Sequence, residues 1–148
     1  MRKITAAVAV LMTALVGTAL AARPAGNAKY AGKTGQEQVI KLRVTGDGKG
    51  LQLDFRETLK CNRGPSKTTT ARYAKQRPPI KSDGTFSYFK TYTLGPVPGF
   101  AEPHTQRQRI TGSFSADAGT VTGRIADSVT GRSGLSCKLA TTFRATRR

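Results

Sequence analysis

The sequence has no tryptophan, one histidine, two cysteines and eight carboxylates against 25 lysines and arginines. Each scarcity closes off chemistry. His104 has no second histidine, cysteine or carboxylate cluster beside it, so no zinc site of ordinary ligand spacing can be built around it. No G-x-S-x-G elbow is present, although a Ser–His–Asp triad has no fixed chain order and stays open. Asp47, Asp83 and Asp117 each accompany a glycine, where aspartate supports the turn itself, and none starts an Asp-x-Asp-x-Asp-Gly calcium loop. Gly32-Lys33-Thr34 lacks the first glycine of a phosphate loop, because Asn27 stands there. Lys33-Thr34-Gly35, Ser82-Asp83-Gly84 and Ser87-Tyr88-Phe89-Lys90 run in reverse order to the motifs of penicillin-recognising enzymes. Their Ser and Lys also fall on opposite faces of a strand. Glu57 with Asp54 would be the pair for glycoside hydrolysis, but both read as surface residues among many cations. No catalytic residue, metal or cofactor is therefore assigned.

Long apolar runs are absent after the first twenty residues. Arg2 and Lys3 precede an uncharged stretch from Ile4 to Leu20, and Ala19-Leu20-Ala21 places small residues at alternate positions. Residues 1–21 read as a secretory signal peptide, so the expected location is secreted or extracellular, without a transmembrane anchor after cleavage. Removing them from the 148 residues leaves 127, with 23 cations against eight carboxylates, a formal +15. An oxidising compartment favours pairing Cys61 with Cys137. Closing so long a loop removes about 4.5 kcal/mol of unfolded-chain entropy at most.

What the chain does contain is alternation. Apolar residues recur with period two, the signature of strands whose side chains point to opposite faces in turn. Residues 22–35 read as an N-terminal lead-in and 36–148 as a single β domain. Strands are expected over 36–45, 51–61, 68–73 (the weakest), 85–94, 105–115, 120–128 and 136–146, joined by Gly-rich turns, with Ile80 pairing locally with the 85–94 strand. About seven short antiparallel strands and one disulfide imply an all-β fold, either a sandwich or a partly closed barrel. Glu57 stands alone among Leu51, Leu53, Phe55 and Leu59 on the apolar parity, marking either a bulge or a position past the sheet edge. Residues 95–104, rich in proline and glycine, read as an irregular loop.

Tyr30-Ala31-Gly32-Lys33-Thr34, Leu59-Lys60-Cys61, Gly84-Thr85-Phe86, Gly112-Ser113-Phe114, Val121-Thr122-Gly123-Arg124-Ile125 and Cys137 … Phe143-Arg144-Ala145 occur in an order and spacing that resembles a group of short exported proteins of unassigned function from high-GC actinobacteria. The resemblance implies a β-rich exported domain with its two cysteines paired. It implies no activity.

The charge is the functional signal. A field of this size attracts polyanions, yet the cations are dispersed and never form a run of five. Arg107, Arg109 and Arg124 are expected on the outward face of neighbouring strands, as the centre of an anionic contact. Parity turns Phe55, Phe86, Tyr88, Tyr92, Phe114 and Phe143 inward. It leaves Phe89 and Phe100 exposed, with Tyr30 and Tyr73 undecided. Two functions follow: a non-catalytic binding or structural module for anionic envelope polymers or polysaccharides, meeting nucleic acid only non-specifically, or a secreted inhibitor presenting the 95–104 loop, with Phe100 and His104 as contacts, to a hydrolase.

Overall fold

The computed structural model describes residues 22–72, 77–97 and 100–148. The expected signal peptide and Tyr73 lie outside these residues. Among the described residues no helix is long and apolar enough to cross a membrane. The fold is all-β, with eight strands: β1 (Lys29–Thr34), β2 (Val39–Val44), β3 (Leu51–Cys61), β4 (Lys67–Arg72), β5 (Thr85–Leu94), β6 (His104–Phe114), β7 (Thr120–Gly131) and β8 (Ser136–Arg147). They form one antiparallel sheet in the order β4-β3-β2-β1-β8-β7-β6-β5.

The sheet curls into a partly closed barrel rather than a sandwich. β3 pairs not only with β2 but also with β8, through Lys60–Lys138 and Cys61–Cys137. The disulfide joins these last two register partners. Between the diverging parts of β3 and β8 sits the β1–β2 hairpin. Gly35 donates its N–H to Thr142 O at its tip. The Gln36 side chain then acts as a piece of strand: Nε2 donates to Thr58 O at 2.9 Å and Oε1 accepts from Thr58 N–H at 3.0 Å. At the other end, residues 78–80 link β3 to β5 through the bridges Gly50–Pro79 and Ile80–Phe86, the latter being the local pairing expected of Ile80. β4 and β5 share no ladder, which is why closure is partial.

The lead-in is the main correction to the sequence reading. Residues 29–34 form β1, the eighth strand, seated between β2 and β8. Tyr30 fills the core at 2% exposure and donates its hydroxyl to Ala118 O at 2.7 Å. Glu57 is neither at a bulge nor past an edge. It lies within β3, opposite Thr69 of β4, and is buried. Within the 95–104 segment, Val97 and Phe100 exchange both backbone hydrogen bonds, while residues 98 and 99 lie outside the described residues.

The core is the inward parity of the strands, dominated by Ile40, Leu53, Phe55, Ile110, Phe114 and Ile125. One row crosses four strands as Phe86–Gly112–Gly123–Phe143. The two glycines make room for the two rings. A Cβ on Gly123 would lie 2.6 Å from the Phe143 ring and 2.3 Å from Thr111 O, and one on Gly112 would lie 2.4 Å from the Phe86 ring. Gly123→Ala is therefore expected to destabilise the barrel by roughly 2 kcal/mol or more, as forced overpacking does. Gly95→Ala, with no atom within 4 Å of the added carbon, should leave stability nearly unchanged when both variants are unfolded in urea titrations.

Candidate functional site

Strand parity sorts the side chains of β5 to β8 into two sets with different chemistry. The outward set contains no carboxylate. Its cations are Arg107, Arg109, Arg124, Lys138 and Arg144, all exposed, and most other members are Ser or Thr. None of the five cations has an ion-pair partner among the described residues, where the pair formed is Lys33 with Glu37. Most of the remaining surface carboxylates are occupied elsewhere. Asp47, Asp83 and Asp117 accept hydrogen bonds within their own turns, which holds each below its ordinary pKa. Glu102 accepts from the Ser133 hydroxyl and N–H and is lowered in the same way.

Within this face lies a trough of about 740 Å³, lined by Thr93, Thr105, Arg107, Ser128, Thr130, Arg132, Ser136 and Lys138, with Pro103, His104 and Gly131 at one end. The register explains its shape. Thr91, Arg107, Ser128 and Lys138 form one cross-strand row, and Thr93, Thr105, Thr130 and Ser136 form the next. Short hydroxyl side chains make the floor while Arg107 and Lys138 rise on either side of Ser128. The Lys138 row continues to Lys60 of β3. Like charges opposed on neighbouring strands cost energy that an anion would relieve.

Of the expected contact residues, Arg107 lines the trough, whereas Arg109 and Arg124 share its face but stand outside it. Arg124 is opposite Thr111, so it sits diagonally to Arg109 rather than beside it. Exposed Phe89 lies directly across from Arg109. Arg132 and Lys138 were not singled out from sequence: Arg132 is in a turn, and a trough depends on register between four strands.

The loop contacts are corrected. Phe100 is 8% exposed and His104 4%. Their rings meet at a tilt of 33° with centroids 5.0 Å apart, and His104 Nδ1 lies 3.1 Å from Glu102 O. Phe100, the aromatic residue of the 95–104 segment, is thus turned into the protein.

The inward set ends in a polar cluster that sequence reasoning also missed. Glu57 of β3 and Asp127 of β7 are 1% and 3% exposed. Asp54, by contrast, points outward, so the Glu57–Asp54 pair does not form on one face. Gln106 and Gln108 donate their amide N–H groups to Asp127 Oδ2 at 2.7 and 3.0 Å. Both Glu57 oxygens and Asp127 Oδ1 find no donor among the described residues. Burial, and then the neighbouring Asp127 carboxyl, push the Glu57 pKa up to about 9. A proton held between the two carboxyls supplies one donor, joining a Glu57 oxygen to Asp127, and makes the pair less costly. The signal was in the sequence: Glu57 and Asp127 both break an apolar parity. Among the described residues, no three His, Cys, Asp or Glu groups come together to hold a metal.

Comparison with family models, curated proteins and solved structures finds no match to this chain.

The raised Glu57 value fixes a pH dependence. The native state keeps a proton that the unfolded chain releases near the ordinary glutamate value, so this group's contribution to stability is fully present below about pH 4.5 and is lost as pH rises toward about 9. The wild-type protein should lose a few kcal/mol of unfolding free energy across that interval on this account. Glu57→Gln, which cannot ionise, should show a markedly flatter profile in urea titrations at pH 5, 7 and 9.

Proposed function

We propose that the protein is an exported, non-catalytic module that binds anionic polymers of the cell envelope or extracellular space along the outer face of β5 to β8. The observation that carries this reading is the trough itself, three cations over a floor of hydroxyls on a face without carboxylates. Arg107, Arg132 and Lys138 supply the charge, Arg107 and Arg132 being able to take carboxylate, sulfate or phosphate oxygens in bidentate fashion. Ser128, Thr130 and Thr105 offer hydroxyls that serve as donor or acceptor to polymer hydroxyls. Phe89 beside Arg109 offers an exposed ring for stacking against a sugar.

Solvent-exposed charges are worth little one at a time and are screened by salt. Binding should therefore be moderate, additive over several contacts, and lost as ionic strength rises.

A salt gradient on immobilised heparin tests the site. The variant Arg107→Gln, Arg132→Gln, Lys138→Gln should elute at clearly lower salt than wild type. The charge-matched variant Lys49→Gln, Lys81→Gln, Lys90→Gln should elute only slightly earlier. Equal shifts would reduce the interaction to net charge and remove the site.

A further inference from the structure

A second cationic trough lies on another wall of the barrel. The outer faces of β1, β2 and β3 enclose about 420 Å³, lined by Lys29, Lys41, Arg43 and Arg148 with Gln52 and Asp54. Register again builds it. Lys29, Arg43 and Gln52 form one cross-strand row and Ala31, Lys41 and Asp54 the next. The Ala31 methyl leaves a floor from which the longer side chains rise, and Arg148 is placed by its N–H donating to Lys29 O at 3.0 Å. All four cations are exposed and face one carboxylate.

The two troughs do not share residues. One is built on β1 to β3 and the other on β5 to β8, to either side of the β1–β8 junction in the sheet order. Both open outward from the apolar core of a curled sheet. A polymer segment lying in one trough must turn around the wall to reach the other.

We propose that the protein holds two polyanion segments at once and so cross-links chains of acidic polysaccharide, an inference that rests on the binding reading above. Polysaccharide fits better than nucleic acid because the first trough pairs separated cations with many hydroxyls, matching a polymer of spaced anionic groups and free hydroxyls. Two sites on one rigid body raise the apparent affinity for a network of chains without any new contact.

Calorimetry with a heparin oligosaccharide too short to span both troughs, and light scattering with long heparin, test the proposal on the mature protein at low salt. The expected result is two oligosaccharides per protein, and turbidity with long heparin that passes through a maximum as the ratio is varied. The first-trough variant (Arg107→Gln, Arg132→Gln, Lys138→Gln) and a second-trough variant (Lys29→Gln, Lys41→Gln, Arg43→Gln) should each bind one oligosaccharide and give clear solutions. The Lys49→Gln, Lys81→Gln, Lys90→Gln variant should keep two sites and the turbidity. One oligosaccharide per wild-type protein, or turbidity lost equally in all three variants, would overturn cross-linking while leaving single-site binding intact. Single-stranded DNA bound at the same stoichiometry and more tightly would overturn the choice of polysaccharide. No oligosaccharide bound by wild type would remove both proposals together.

Discussion

The junction of β3 with β8 is the constraint on which the rest of the barrel depends. These strands are 76 residues apart at Cys61 and Cys137, yet they are register partners, and the disulfide fixes them there. Their divergence opens the wedge that the β1–β2 hairpin fills, with Gln36 completing the hydrogen bonding of Thr58. The same junction sets Lys60 against Lys138, one residue from the bridge on each strand. A covalent tie thus holds two like charges opposed at the border of the first trough, a juxtaposition that a solvated surface does not need and that an anion rewards.

The interior shows a second compromise. Most of the core is apolar, but Glu57 and Asp127 face each other's strands from inside the sheet, with Gln106 and Gln108 on Asp127. Burying two carboxyls becomes tolerable when one stays protonated, and here Asp127 Oδ2 also takes two amide donors. This cluster is shut from solvent, and its role is to tune the stability of the fold with pH.

Much of this fold could be read from the chain because period two is hard to disguise. The bounds of β3 and β5 match the expected 51–61 and 85–94. Phe55, Phe86, Phe114 and Phe143 are buried and Phe89 is exposed, as parity required. β1 escaped because its inward positions are Tyr30, Gly32 and Thr34, with a single large side chain among them. Phe100 was misplaced because parity carries no information beyond a strand end. The outward placement of Arg107, Arg109 and Arg124 was legible strand by strand. Which cations share a trough was not, since that depends on how four strands slide past one another and on where short side chains leave a floor.

The proposed binding stands or falls on whether an anionic polymer meets the outer face of β5 to β8. Amide chemical shifts of the mature protein, followed by NMR while an acidic oligosaccharide is added, test this directly. The account predicts saturable changes concentrated at residues 105–107, 128–132 and 136–138, with the core rows around Ile110 and Ile125 unmoved. Small, unsaturable changes spread over all the lysine- and arginine-bearing segments, or changes confined to the 95–100 turn, would contradict it.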